Sequence, residues 1–416
     1  MNLVQVKKLY NDNLKVISNY LHMTVLQVMN SFFYLLIYPY VIHQLGVDTY
    51  GLFVFASGIA MYFMVVINFG FDIHAAKLVS LDQDDRAAHG ALMARVLLAK
   101  SWLLLAATLI FAILMAVFEF MRAHWLVFVL AYANVLSSVF LPLWYFHGMQ
   151  KMKVLTTIQL VLKLLSLPFI FLLVTHQDDV GVYTIIVVGV NVLASMAAFA
   201  VAMRGCERAA LPAFREVKSL LLEVQPFFWS SAANTLKQKS IEVIIGSLFG
   251  MREVAIYDLA NKIFSVPSLL ASNINAALFP ALVRRARRDL VAKIIKIELV
   301  VGVLCILSVV VGGYWVVAWI APPGMEQAYY LSVLLSLSIL TYLIVGSHIY
   351  FIYVPNQCYN LVLKNQIVSI ISFYCFCALY LALNWDISSV VLGLVSSAML
   401  EIVYSYSLVR KVPGYQ

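Results

Sequence analysis

The chain has 416 residues, of which 63% are hydrophobic and 12% charged, with a mean hydropathy of +0.92. A soluble domain is about 45–50% apolar and about 25% charged, so this composition cannot cover a soluble surface and excludes a disordered, collagen-like or disulfide-rich secreted chain. The net charge of +8 would suggest nucleic acid in a soluble protein, but its distribution here follows membrane topology and no nucleic-acid partner is expected.

A helix needs about 20 apolar residues to cross a bilayer. Twelve such runs follow one another, centred near residues 30, 58, 106, 134, 164, 191, 238, 267, 306, 339, 373 and 398. The expected fold is an all-α polytopic membrane protein with twelve transmembrane helices in two six-helix bundles around a central cavity. The basic N-terminus leads into a run too long and too polar for a cleaved signal peptide, so the first helix is expected to stay. Cytoplasmic loops carry the excess of Lys and Arg. With the N-terminus inside, those loops hold 21 of the 28 basic residues, among them Lys151, Lys153, Arg204, Arg208, Arg215, Lys218 and the cluster Arg284, Arg285, Arg287 and Arg288. The outer loops hold Arg122 and Arg252 alone. Both termini are therefore expected in the cytoplasm. Every loop is short, no GxxxxGK[ST], HExxH or CxxC occurs, and the five cysteines imply no exported disulfide. No cofactor, metal site or catalytic residue is expected, and the chain reads as a non-enzyme.

The two halves echo each other. Gly46 to Ala56 aligns without gaps on Gly250 to Ala260, placing Gly51 on Ala255 and Phe53 on Tyr257. An offset spanning six helices gives repeats of one orientation, related by an axis along the membrane normal. The organisation expected is an N-terminal lobe over 1–203, a cytoplasmic linker over 204–218 and a C-terminal lobe over 219–416.

Ionisable groups inside spanning helices mark function by default, because each costs about 2.5–3.5 kcal/mol at the bilayer centre. Lys163 lies mid-helix, where snorkelling is hardest. Lys100 lies nearer a cytoplasmic helix start and reads as a snorkelling lysine; Asp72 reads as a membrane-edge marker. Helix seven carries Lys237, Lys239 and Glu242. The two lysines point about 200° apart, while Lys239 and Glu242 are spaced to pair. Helix eight carries Asp258 and Lys262, four apart with the acid first, the favoured order. Two structural ion pairs would account for some of these groups. Together with Asn234, Gln238 and Asn261, they exceed what two pairs need and favour a cationic cavity wall tuned by Asp258 and Glu242. Such a cavity suits an anionic cargo, and lysines bind phosphate as point charges. Lipid-linked pyrophosphates fit better than cationic drugs, which would want acidic or aromatic walls. Trp125, Trp315, Trp319 and Trp385 read as interface anchors, Trp144 and Trp229 as anchors or sugar-stacking rings. His22, His43 and His176 read as satisfied polar groups.

Several stretches resemble the O-antigen/polysaccharide flippases of the multidrug/oligosaccharidyl-lipid/polysaccharide exporter superfamily. They are Leu45-Gly46 with Tyr50-Gly51-Leu52-Phe53, Asn68-Phe69-Gly70-Phe71, the segment from Pro142 to Met152, Tyr257 with Ala260-Asn261-Lys262, and Phe279-Pro280. The chain has His147 and Gln150 where such relatives often carry Gln and Glu. The resemblance, spanning nearly the whole chain, implies a two-lobed twelve-helix fold in the bacterial inner membrane. It also implies outward flipping of undecaprenyl-pyrophosphate-linked oligosaccharide and a cation-lined cavity that includes Lys262. Lys262, Lys237, Lys163 and Lys239 would offset the desolvation of the pyrophosphate, and an inside-negative potential would favour outward movement of negative charge. Membrane lipid and periplasmic polymerase and chain-length proteins are the further partners expected. An ion-coupled exporter of small amphipathic molecules on the same fold is the first alternative. A membrane-embedded polymerase or ligase ranks third, because the outer loops are too short for its chemistry.

Overall fold

The computed structural model describes residue 33 and residues 36–207, 209–282 and 288–412. Excepted are the side chains of 226, 227, 230, 231, 233, 234, 272–274, 276–282, 288–290 and 359. Among these residues the secondary structure is helical throughout, without strands. The elements are α1 (36–45), then α2 (Val47–Asn68), α3 (Phe71–Leu81), α4 (Arg86–Val117), α5 (Glu119–Ala123), α6 (Trp125–Ala133), α7 (Val135–Phe140), α8 (Leu143–Gly148), α9 (Met152–Leu173), α10 (Val180–Arg204) and α11 (Phe214–Leu248). There follow α12 (Met251–Leu282), α13 (Arg288–Ile320), α14 (Gln327–Ser336), α15 (Ile339–His348), α16 (Tyr359–Leu383) and α17 (Ile387–Val409).

Among the described residues, ten stretches are long and apolar enough to cross a membrane, from Val47–Leu81 to Ile387–Val409, and they coincide with ten of the twelve expected runs. The protein is therefore a multi-pass membrane protein. The run near 238 falls in α11, a 35-residue helix, and is not among those ten. The run near residue 30 lies largely outside the described residues, as do His22 and the Arg284, Arg285 and Arg287 cluster. Trp125, Trp315, Trp319 and Trp385 are exposed, as anchors in lipid should be.

The chain forms two compact units: one from Gln44–Lys239, the other from Ser240–Gln416 with the described residues of Gln27–His43. The first has its core on α3, α4, α8, α10 and the start of α11, with Phe71, Leu92, Trp144, Phe146 and Val217 at its centre. Trp144 is 1% exposed, which removes it from both sugar stacking and the lipid interface. The second packs α13, α15 and α17 around Ile344, Phe351 and Tyr353.

The repeat seen in the sequence has a backbone counterpart. Gly46 and Gly250 hold φ of 78° and 106°, a region that favours glycine, and each immediately precedes a long helix, α2 or α12. Both carbonyls then accept from the residue four on, Tyr50 N at 3.0 Å and Val254 N at 3.4 Å.

Two further details position the candidate site. The span Trp125–Gly148 is broken into α6, α7 and α8 at Asn134 and at Leu141-Pro142. The start of the expected linker is tied to the first unit: Glu207 N–H donates to the Arg86 carbonyl (3.0 Å) and the Arg86 guanidinium to the Arg204 carbonyl (2.8 Å).

Candidate functional site

In the first unit the principal buried charge is Lys100, 1% exposed, 14 residues into α4. It does not snorkel. The run of apolar residues gives no helix start, and α4 begins at Arg86, so Lys100 sits a full four turns in, with its ammonium turned into the unit. Its Nζ donates to the Ser138 carbonyl at 2.6 Å and to Asn68 Oδ1 at 3.3 Å. Pro142 explains the first bond. Proline has no N–H, so the carbonyl four residues earlier in a helix loses its donor, and that carbonyl belongs to Ser138. Lys100 supplies the missing hydrogen bond.

Asp72 completes this cluster. Its carboxylate accepts from the Trp144 backbone N–H at the start of α8 and interacts electrostatically with Lys100 and His147. Asp72 is thus no mere edge marker: it faces the broken helix from α3, and with Lys100 it serves both backbone ends left open at Pro142. Replacing a pair of this kind at one member costs about 3–5 kcal/mol, because the other charge is left uncompensated.

Among the buried or half-buried charges in the helices of the second unit are Glu242, Asp258, Lys262, Glu298 and Glu401. Lys262 and Asp258 form the i, i+4 ion pair that their spacing predicts. The Lys262 ammonium lies 5.0 Å from the centre of the Tyr38 ring, a cation–π distance, and the Tyr38 hydroxyl donates to the Ala255 carbonyl at 3.4 Å. Glu242 is buried and acts electrostatically on buried Tyr257, as do Asp258 and Tyr342. Glu401 accepts from Ser369 Oγ at 2.5 Å and Asn365 Nδ2 at 3.2 Å, joining α17 to α16. Glu298 accepts from Ser347 Oγ at 2.6 Å. Glu298 and Glu401 are absent from the sequence-derived site, although each is a lone carboxylate in an apolar run, the signal that singled out Lys163.

The other expected residues are distributed over both units. Lys163 is half-buried on α9, Lys237 and Lys239 half-buried on α11, Gln238 exposed beside them, and Asn261 half-buried on α12. The side chain of Asn234 lies outside the described residues. A cavity of about 530 Å³ in the first unit, between α3, α4 and α11, is lined by Asp82, Asp85, Arg95, Glu216 and Glu223 among others. Its acidic majority does not suit an anion. Among the described residues no group of three or more His, Cys, Asp or Glu side chains is placed to hold a metal ion.

A family model described as polysaccharide biosynthesis protein matches residues 16–286. A relative from Escherichia coli (strain K12), named "Putative O-antigen transporter", is 25% identical over 352 residues, covering 82% of this chain and 83% of its own. One of the same name from Shigella dysenteriae is 22% identical over 258 residues, covering 61% of this chain and 64% of its own. Among solved structures, the fold is similar to that of the lipid II flippase MurJ in an inward closed conformation, with a TM-score of 0.72 and 11% identity over 95% of this chain and 87% of that one. It is also similar to the eukaryotic MATE transporter AtDTX14, with a TM-score of 0.57 and 15% identity over 98% and 97% of the two chains.

Proposed function

The chain belongs to the polysaccharide biosynthesis protein family, and from that premise we propose that it is a flippase for lipid-linked oligosaccharide. Its substrate in this reading is an undecaprenyl-pyrophosphate-linked repeat unit of the O-antigen kind, moved by alternating access from the cytoplasmic to the periplasmic leaflet of a bacterial inner membrane. Both termini would be cytoplasmic, and no bond of the substrate would be made or broken. The observation that carries the proposal is the family match, joined by relatives named as O-antigen transporters and by a fold shared with a lipid flippase.

The chemistry of the spans supports an anionic headgroup. Lys163, Lys237 and Lys239 are half-buried lysines of the first unit, and a pyrophosphate leaving water needs such counter-charge. Lys262 enters this set on a condition the structure adds. Its ammonium is shared with Asp258, so it serves the pyrophosphate by exchanging one anion for another, with the Tyr38 ring holding the ammonium in place meanwhile. Glu242 tunes the local field, and Asn261, Asn234 and Gln238 supply hydrogen bonds to sugar or phosphate oxygen.

The test is complementation of a polysaccharide-flippase deletion, reading surface glycan and cytoplasmic-face lipid-linked repeat units together. Restored glycan with cleared intermediate is expected; the combination Lys237→Ala and Lys262→Ala should leave intermediate trapped on the cytoplasmic face at low expression. Unchanged glycan in that variant would refute the lysine assignment. The fold similarity to a MATE transporter makes small-molecule export the second reading. Drug resistance conferred by the chain, with no effect on any lipid-linked sugar, would select it.

A further inference from the structure

Three oxygens in the second unit are short of one hydrogen. The Ser347 hydroxyl on α15 lies 2.6 Å from Glu298 Oε2 on α13 and 3.0 Å from Asn275 Oδ1 on α12. A hydroxyl carries one proton, and an ionised carboxylate and an amide oxygen both accept only. Turning the Asn275 amide over does not help, because its Nδ2 already donates to the Leu343 carbonyl at 2.9 Å, where an oxygen would be repelled. All three side chains are buried, and Glu298 Oε1 is enclosed with no hydrogen-bond partner. Gly346 makes the approach possible, since a Cβ there would stand 2.7 Å from Asn275 Nδ2.

We infer that Glu298, Ser347 and Asn275 form a proton-binding site, in which a proton on Glu298 closes a chain of hydrogen bonds from Glu298 through Ser347 to Asn275 and on to the Leu343 carbonyl. With the proton bound, Glu298 Oε2 donates to Ser347, Ser347 donates to Asn275 Oδ1, and α12, α13 and α15 are tied together. When the proton leaves, Ser347 must turn to the carboxylate and its bond to Asn275 is lost, while the Asn275 Nδ2 bond to the Leu343 carbonyl still joins α12 to α15. Both neighbouring oxygens stand at hydrogen-bond distance from the hydroxyl oxygen itself, the arrangement of a proton chain.

Among the described residues, charged and titratable groups on the surrounding helices do not supply the missing hydrogen. On α12, Asp258 and Lys262 are engaged with each other. On α15, His348 Nδ1 bonds Ser405 Oγ at 2.8 Å, and Tyr342 lies in the field of Glu401. On α14, the Tyr329 hydroxyl donates to the Val310 carbonyl at 2.9 Å, and Tyr330 is exposed. Lys293 and Lys296, on α13 itself, are exposed.

The inference stands on this geometry alone and does not depend on the flippase reading, so its test uses no transport assay. Infrared spectra of the full-length protein in lipid nanodiscs at neutral pH should contain a protonated-carboxyl C=O band. That band is expected to disappear in Glu298→Gln, persist in Glu401→Gln, and shift in frequency in Ser347→Ala, where its hydrogen-bond partner is gone. Identical bands in the wild type and Glu298→Gln would overturn the proposal. So would an unshifted band in Ser347→Ala, the arm that decides the matter if Glu298→Gln does not fold. A band removed by sodium ions at constant pH would overturn it in favour of a metal cation.

Discussion

The two units handle charge inside the bilayer in opposite ways. In the first, Lys100 is fixed on backbone: it fills the carbonyl that Pro142 leaves open, while Asp72 takes the N–H at the start of α8. In the second, carboxylates meet side chains, namely Asp258 with Lys262, Glu298 with Ser347, and Glu401 with Ser369 and Asn365. A backbone partner cannot rotate away, whereas a hydroxyl, an ammonium or an amide can. The first arrangement suits a permanent joint; the second suits groups that exchange partners during a working cycle.

The comparison breaks most readily at Lys100. Lys100→Met should destabilise the protein by about 3–5 kcal/mol, seen as lost folded yield and a lower unfolding temperature in detergent. Pro142→Ala restores an N–H four residues after Ser138, so in that background the same change should cost about 1–3 kcal/mol less, the coupling expected of groups sharing one acceptor. Equal costs in the two backgrounds would show that Lys100 does not serve the Ser138 carbonyl.

The glycines of the repeat test what the units share. Gly46→Ala and Gly250→Ala should each lower stability by about 1–3 kcal/mol through backbone strain, although an added Cβ at Gly250 meets nothing within 4 Å. An unaffected unfolding temperature for Gly250→Ala would remove the parallel. At the exchangeable pair, Asp258→Asn should cost about 1–3 kcal/mol, since it leaves the mostly buried Lys262 ammonium without its counter-charge,, and should slow flipping measurably in the complementation assay because Lys262 then holds its anion without a competitor. Activity equal to wild type would count against exchange. The smallest effect belongs to Glu326, exposed outside the spans. The Gly324 backbone N–H (3.1 Å) holds its carboxyl below the usual carboxylate range. A lowered native value contributes stability above the unfolded value and loses it as pH falls through the native one. Glu326→Gln should therefore act alike at neutral pH and at pH 8, and flatten only the acid limb of an unfolding profile.

Much of this was legible in the sequence, and the failures have physical reasons. Apolar run length located ten spans because the bilayer sets that length directly. The Asp258–Lys262 pair followed from helical spacing alone. The Gly46 and Gly250 alignment, thin as letters, reappears as two glycines with positive φ before equivalent helices. The burial of Lys100 is not legible from the edge of the apolar run, because α4 extends beyond that run to Arg86. Its partner, a carbonyl, has no identity in a sequence except through the proline four residues on. Asp72 and Trp144 lie far apart in the sequence, yet the fold brings α3 against α8 and makes one a cap for the other. Glu298 is legible by the signal that marks Lys163, because a carboxylate among apolar residues carries the same information as a lysine there.

The Lys100 joint also has an order of assembly. Ribosomes deliver Asn68 and Asp72 before Lys100, but Ser138 only 38 residues after it. While α4 enters the membrane, its ammonium has a carboxylate within reach and no carbonyl. The span that holds Ser138, Trp125–Gly148, is long enough to cross as one stretch but is broken into three short helices, with α7 and α8 of six residues each, and so enters with backbone groups left open at its breaks. Each segment thus arrives lacking what the other brings. A nascent chain stopped before Ser138 should leave α4 poorly retained by the insertion machinery, and one extended past Gly148 should release both together.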